Sequence, residues 1–106
     1  MATYKNLFID QGSDFSFSID QSIDLTDYIS RGQIRKSYTS TNATDFNIIV
    51  DVPNGKLDVS LTAAQTGALK AGRYVYDIEI LTSDSPAIVT RILEGQVEVT
   101  PRVTVG

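Results

Sequence analysis

The aspartates Asp10, Asp14, Asp20, Asp24 and Asp27 crowd the N-terminal quarter of the chain. Loop carboxylates are the natural ligands of calcium, so a cation site is the first chemistry the sequence offers. No Asp-x-Asp-x-Asp-Gly spacing occurs, and several of these residues fall where strands should end, positions at which aspartate suits turns and caps. The preferred reading is a solvated acidic surface with no metal site. Paired carboxylates can also do acid and base work, but such a pair needs a cleft, and cleft-forming domains of this composition are normally larger. The chain has no His, Cys or Trp. That removes thiolate and imidazole ligands, the common nucleophile and base pairs, and disulfides. The expectation is a non-enzyme with no catalytic residues, no cofactor and no small-molecule substrate.

Asn42-Ala43-Thr44 matches a glycosylation sequon, a pattern short enough to arise by chance. The N-terminus lacks a basic region followed by an apolar one, and no apolar run approaches bilayer length, so neither a leader nor a membrane partner is expected. With 13 acidic and 9 basic residues the net charge is -4, and no basic run exceeds the Arg35-Lys36 pair, which disfavours nucleic acid. A length of 106 residues fits one domain over 1–106 with one core.

The elements that would position any site are strands. Alternation with a period of two separates core from solvent, and it recurs along the chain. Phe15, Phe17 and Ile19 share one face, while Asp14, Ser16, Ser18 and Asp20 share the other. Phe46, Ile48, Val50 and Val52 form a second apolar face, and Pro53-Asn54-Gly55 turns it into Leu57, Val59 and Leu61, a β-hairpin. Tyr74, Tyr76, Ile78 and Ile80 alternate with Val75, Asp77 and Glu79, and the turn Ser83-Asp84-Ser85-Pro86 leads into a strand from Ile88 to Val99. Gly95 interrupts that strand, which marks a bulge or a close backbone approach, and a bulge there would swap the buried face. Leu7 and Ile9 mark a first strand closed by Gln11-Gly12-Ser13, and Ile29 to Thr39 is a weaker one. The alanine-rich stretch from Leu61 to Leu69 reads as a helical turn or two, with Thr62 and Gln65 as a capping box.

About seven short strands with turns between them predict an all-β, immunoglobulin-like antiparallel β-sandwich with one short helical crossing. Tyr74, just after that crossing, stands where a tyrosine corner would sit, with an ordinary core aromatic as the alternative. Tyr74 and Gly95 are therefore the structural positions to watch. For partner contact the candidates are Arg35, Lys36 and Tyr38 on the weaker strand and Asn42 in the following loop, because an underfilled, polar strand is where a partner completes a sheet. The alternative is that the basic residues are a solvated face and Tyr38 belongs to the core.

Several blocks resemble a known type of module. These are Asp24-Leu25-Thr26-Asp27-Tyr28 with Gln33-Ile34-Arg35-Lys36-Ser37, then Leu61-Thr62-Ala63-Ala64-Gln65-Thr66 leading to Ala71-Gly72-Arg73-Tyr74-Val75-Tyr76-Asp77-Ile78. The closing block runs from Val89 to Pro101. Their order across nearly the whole chain resembles a β-sandwich module of tailed-phage structural proteins, of the upper-baseplate or tail-fibre-attachment type and similar to small versions in cyanophages. The resemblance implies a non-enzymatic virion component of tail, baseplate, neck or capsid exterior. It would be made in the bacterial host cytoplasm and pack against other phage structural proteins, with self-association also open. Larger relatives add trimerisation or fibre-docking segments, whereas this chain ends at Gly106 just after its last strand, so any oligomer would use the sandwich surface or short termini. The competing reading is a carbohydrate or host-surface binding module using the Ser40-Thr41-Asn42 and Ser83-Asp84-Ser85 loops at one end of the sandwich.

Overall fold

The computed structural model describes residues 2–21 and 24–104; Met1 and Gly106, the termini of the sequence reading, lie outside them. Among the described residues the chain runs β1 (Thr3–Tyr4), β2 (Leu7–Asp10), β3 (Phe15–Asp20), β4 (Tyr28–Arg35), β5 (Ala43–Asp45), β6 (Asn47–Asp51), β7 (Lys56–Leu61), α1 (Ala63–Gly67), β8 (Gly72–Thr82) and β9 (Val89–Thr100). One sheet has six strands in the order β1-β9-β8-β4-β5, with β2 also on β9, and the other has three in the order β3-β7-β6. The fold is the expected all-β, immunoglobulin-like sandwich.

Alternation builds the core as the sequence predicts. Leu7 and Ile9 of β2, Leu57, Val59 and Leu61 of β7, Tyr76, Ile78 and Ile80 of β8 and Val97 and Val99 of β9 are all buried between the sheets. Each aliphatic side chain removed from water contributes roughly 1.5–3 kcal/mol, so this inner layer dominates the fold. Phe46 lies between β5 and β6, where the chain crosses from the larger sheet to the smaller. Its amide donates to the Gly32 carbonyl (3.0 Å) and its ring packs edge-on against Tyr76 (centroids 6.1 Å apart). Gly32 makes that room: a Cβ there would stand 2.8 Å from Ile78 Cγ1 and 3.1 Å from the Phe46 ring. Both predicted hairpins form, β6–β7 and β8–β9, although Val52 falls in the first turn and is exposed.

Ala63–Gly67 is helical, and Thr62 and Gln65 form the reciprocal capping box: the Gln65 amide donates to Thr62 Oγ1 (3.2 Å) while Thr62 N–H donates to Gln65 Oε1 (2.8 Å). The tyrosine corner is present as well. The Tyr74 hydroxyl donates to the Lys70 carbonyl at 2.7 Å, tying β8 to the crossing before it.

Three expectations need correction. First, β1 and β2 pair with β9 in parallel, in one continuous register from Thr3↔Leu93 to Asp10↔Thr100, so the sandwich is not wholly antiparallel. Second, the bulge is at Ile92 and not at Gly95. Ile78 pairs with Leu93 and Glu79 with Arg91, leaving Ile92 as the extra residue, and the buried face of β9 changes there. Gly95 is regularly paired with Tyr76, and its role is close approach. A Cβ at Gly95 would overlap the Lys5 carbonyl oxygen and stand 2.8 Å from its carbonyl carbon. The chain turns inward at Lys5 so that its carbonyl accepts from the Tyr76 hydroxyl (2.6 Å), and the Asn6 side chain takes its place by accepting from Gln96 N–H (3.2 Å). Third, β4 ends at Arg35, so Lys36 and Tyr38 belong to the connection to β5.

Candidate functional site

Register brings polar residues far apart in sequence onto the outer face of the six-stranded sheet. Reading across the strands, Arg35, Val75 and Gln96 form one row, Gln33, Asp77 and Glu94 the next, and Arg31, Glu79 and Arg91 a third. A shallow concavity of about 500 Å³ opens over these rows, and Tyr38 leans into its rim from the β4–β5 connection. Its charges are cross-linked. Arg31 pairs with Glu79, and Arg91 lies 3.5 Å from both Asp77 and Glu94. Arg35 donates to the Ser40 carbonyl (2.6 Å) and to Gln33 Oε1 (2.9 Å), and Gln33 in turn donates to Asp45 (2.8 Å). Partial burial pushes the Asp77 carboxyl above its ordinary range, Arg91 draws it back, and Glu79 and Glu94 add to the rise.

Apolar side chains border this charged centre. In the row beyond Arg31, Ile29, Leu81 and Val89 stand side by side; Ile29 is 58% and Val89 48% exposed. Along the opposite edge Tyr4 pairs with Glu94 and Phe8 with Glu98, both aromatic rings facing outward into solvent. The outer face of the three-stranded sheet is different. Its rows read Ser16, Ser60, Asn47 and then Ser18, Asp58, Ile49, a hydrophilic surface with Ile49 as its exposed hydrophobe among the described residues.

Of the partner-contact candidates, Arg35 and Tyr38 line the concavity and Lys36 and Asn42 do not. The Lys36 ammonium lies over the Tyr74 ring, 4.8 Å from its centroid. Asn42 is exposed, and its carbonyl accepts from the Ser40 hydroxyl (3.2 Å). Arg31, which groups with Arg35 and Lys36 as the basic concentration of the sequence, joins Arg35 here, while Asp77, Glu79, Arg91 and Glu94 were missed; the signal for these was their place on the outward parity of β8 and β9, which only the cross-strand register converts into a cluster.

The aspartates of the N-terminal quarter are spread over turns and caps. Asp10 accepts from the Thr100 hydroxyl (2.8 Å), Asp14 from the Ala63 amide (2.8 Å) and Asp24 from the Thr26 amide (2.9 Å) and hydroxyl. The Thr26 hydroxyl, followed by its amide, holds the Asp24 carboxyl below its usual range. Asp27 adopts a φ of 64° in the turn before β4. Among the described residues no three His, Cys, Asp or Glu side chains gather to hold a metal ion. The two loops named for glycan binding do not form one end. Arg35 pairs with Val75 and Tyr28 with Thr82, so the Ser40 loop and the Ser83 loop leave β4 and β8 at opposite ends of the sheet.

No protein-family model matches the chain. No curated protein matches it either. Among solved structures it is similar to AggA, the major subunit of aggregative adherence fimbriae type I from Escherichia coli, with 11% identity, a TM-score of 0.46, and 90% of this chain and 89% of that one covered. It is also similar to an internalin-like protein of Listeria monocytogenes (13% identity, TM-score 0.44, 95% of this chain and 28% of that one). A third likeness is to a nucleoside hydrolase-related protein from Saccharophagus degradans (14% identity, TM-score 0.39, 90% and 22%). The chain thus spans less than a third of the length of the latter two, and all three are distant likenesses in shape.

Proposed function

We propose that this chain is a non-enzymatic assembly protein that packs the outer face of its six-stranded sheet against a larger structure, and that this structure is a tailed-phage virion. The carrying observation is the contrast between the two outer faces. One is hydrophilic apart from Ile49. The other exposes Ile29, Val89, Tyr4, Phe8 and Tyr38 around a charge-paired centre, an apolar and aromatic border that favours burial against a partner. The ion pairs inside the concavity support docking over catalysis, because each acid there is engaged with a neighbouring arginine. Support for a virion comes from the ordered sequence blocks.

The test is mass spectrometry of purified particles from the phage that encodes the chain. The expected result is the chain at stoichiometric copy number; its absence overturns the virion reading. A Tyr38→Ala variant separates docking from stability. Tyr38 is 80% exposed, so its loss should change folding free energy by less than about 0.5 kcal/mol while weakening incorporation.

A further inference from the structure

We propose that β3 is a dimerisation edge, on which two copies of this chain pair antiparallel about a two-fold axis at Phe17. The three-stranded sheet ends at β3, and among the described residues no strand pairs with its outer side. The orientation of its backbone groups follows from one bond. Gln21 N–H donates to the Gly55 carbonyl (2.8 Å), a pair that continues the β3–β7 register. Hydrogen-bonded pairs alternate in an antiparallel ladder, so Phe15, Phe17 and Ile19 bond to β7 while the N–H and C=O groups of Ser16 and Ser18 point to the open edge.

The strand is self-complementary. Asp14-Phe15-Ser16-Phe17-Ser18-Ile19-Asp20 reads nearly the same in both directions, and an antiparallel partner centred on Phe17 sets Phe15 against Ile19 and Ser16 against Ser18 of the other copy. In that register the two Ser16–Ser18 pairs are the hydrogen-bonded ones and the Phe17–Phe17 pair is the close, non-bonded one, which is the phase that the open groups require. The inner side of the edge is also unfinished. Phe15, Phe17 and Ile19 are only half-buried, and the Lys5 ammonium lies over the Phe17 ring, 5.6 Å from its centroid. Pairing would seat the second copy's apolar residues beside them and join the two three-stranded sheets into one of six. Asp14 would face Asp20 of the other copy at each end, and this repulsion makes the dimer stronger as salt rises. The edge is not part of the outer face of the six-stranded sheet, so this inference stands apart from the docking proposal.

Sedimentation equilibrium up to about 1 mM protein, at low and high salt, reads the association. The wild-type chain should dimerise. Ser18→Pro should raise the dissociation constant by roughly tenfold or more, because it removes an outward N–H and leaves the β3–β7 backbone bonds in place, losing within the chain only the exposed bond from the Ser18 hydroxyl to Asp58. A wild-type chain that stays monomeric, or a dimer indifferent to S18P, overturns the proposal. A second measurement uses the absence of cysteine from the chain. Phe17→Cys should oxidise to a covalent dimer about tenfold faster than Ile49→Cys, since a close non-bonded strand pair suits disulfide geometry. Equal rates contradict the two-fold at Phe17.

Discussion

Replacing Gly95 by alanine puts the packing of the N-terminal strand to a direct test. The added methyl meets backbone and not a movable side chain: it would overlap the Lys5 carbonyl oxygen, with the carbonyl carbon at 2.8 Å and the Lys5 nitrogen at 3.3 Å. The strand must therefore move away from β9. That motion breaks or lengthens the bond from the Tyr76 hydroxyl to the Lys5 carbonyl (2.6 Å) and the bond from Lys5 N–H to the Glu94 carbonyl (2.8 Å). Two weakened hydrogen bonds at about 1 kcal/mol each and a displacement strain of about 1–3 kcal/mol give an expected loss of roughly 3–5 kcal/mol. For a domain of this size that lowers the melting temperature by about 12–25 °C. Gly67→Ala is the control, since a Cβ there meets its nearest neighbour, Gly12 Cα, at an ordinary 3.8 Å. Urea unfolding of both variants, with hydrogen exchange at the Lys5 amide, reads the outcome. A Gly95→Ala variant within about 0.5 kcal/mol of wild type, its Lys5 amide still protected, would refute the reasoning.

Other outcomes follow from the same contacts. Tyr76 is pushed up to about 12 by burial, with Tyr4 adding to the rise, from an ordinary value of 10.0. The unfolded chain ionises first, so the contribution of Tyr76 is intact below pH 10 and is lost as pH rises towards about 12; stability measured across that window should fall less steeply in Tyr76→Phe. Thr62→Ala removes the helix cap and should cost about 1 kcal/mol in urea unfolding, with Gln65→Ala non-additive because the two side chains share one box. Tyr74→Phe loses the bond to Lys70 and should cost about 0.5–1.5 kcal/mol, with increased exchange in the segment between α1 and β8.

What the sequence shows and what it hides divide along a physical line. Periodicity reports which face of a strand is buried, and the Phe15, Leu57 and Tyr76 faces could be read from it. Local chemistry reports caps and corners, so Thr62, Gln65 and Tyr74 were also legible. Gly95 was read as a bulge because a glycine in a strand has two meanings, and the one that holds here depends on Lys5, distant in sequence but adjacent in the sheet. The bulge itself fell on Ile92, a residue with no turn chemistry to announce it. Buried Leu25, in the connection before β4, carries no periodic signal at all. The docking face was only partly visible for the same reason: Arg35 and Tyr38 are near each other along the chain, but Arg31, Asp77, Glu79, Arg91 and Glu94 meet through register.

The central claim, docking through the outer face of the six-stranded sheet, is tested most directly by thiol labelling of single-cysteine variants in the free chain and in assembled particles. Ile29→Cys and Tyr38→Cys report on that face, and Ile49→Cys reports on the outer face of the other sheet. The account predicts that the first two become protected on assembly while Ile49→Cys keeps its reactivity. Protection of Ile49→Cys with Ile29→Cys and Tyr38→Cys left reactive would contradict it.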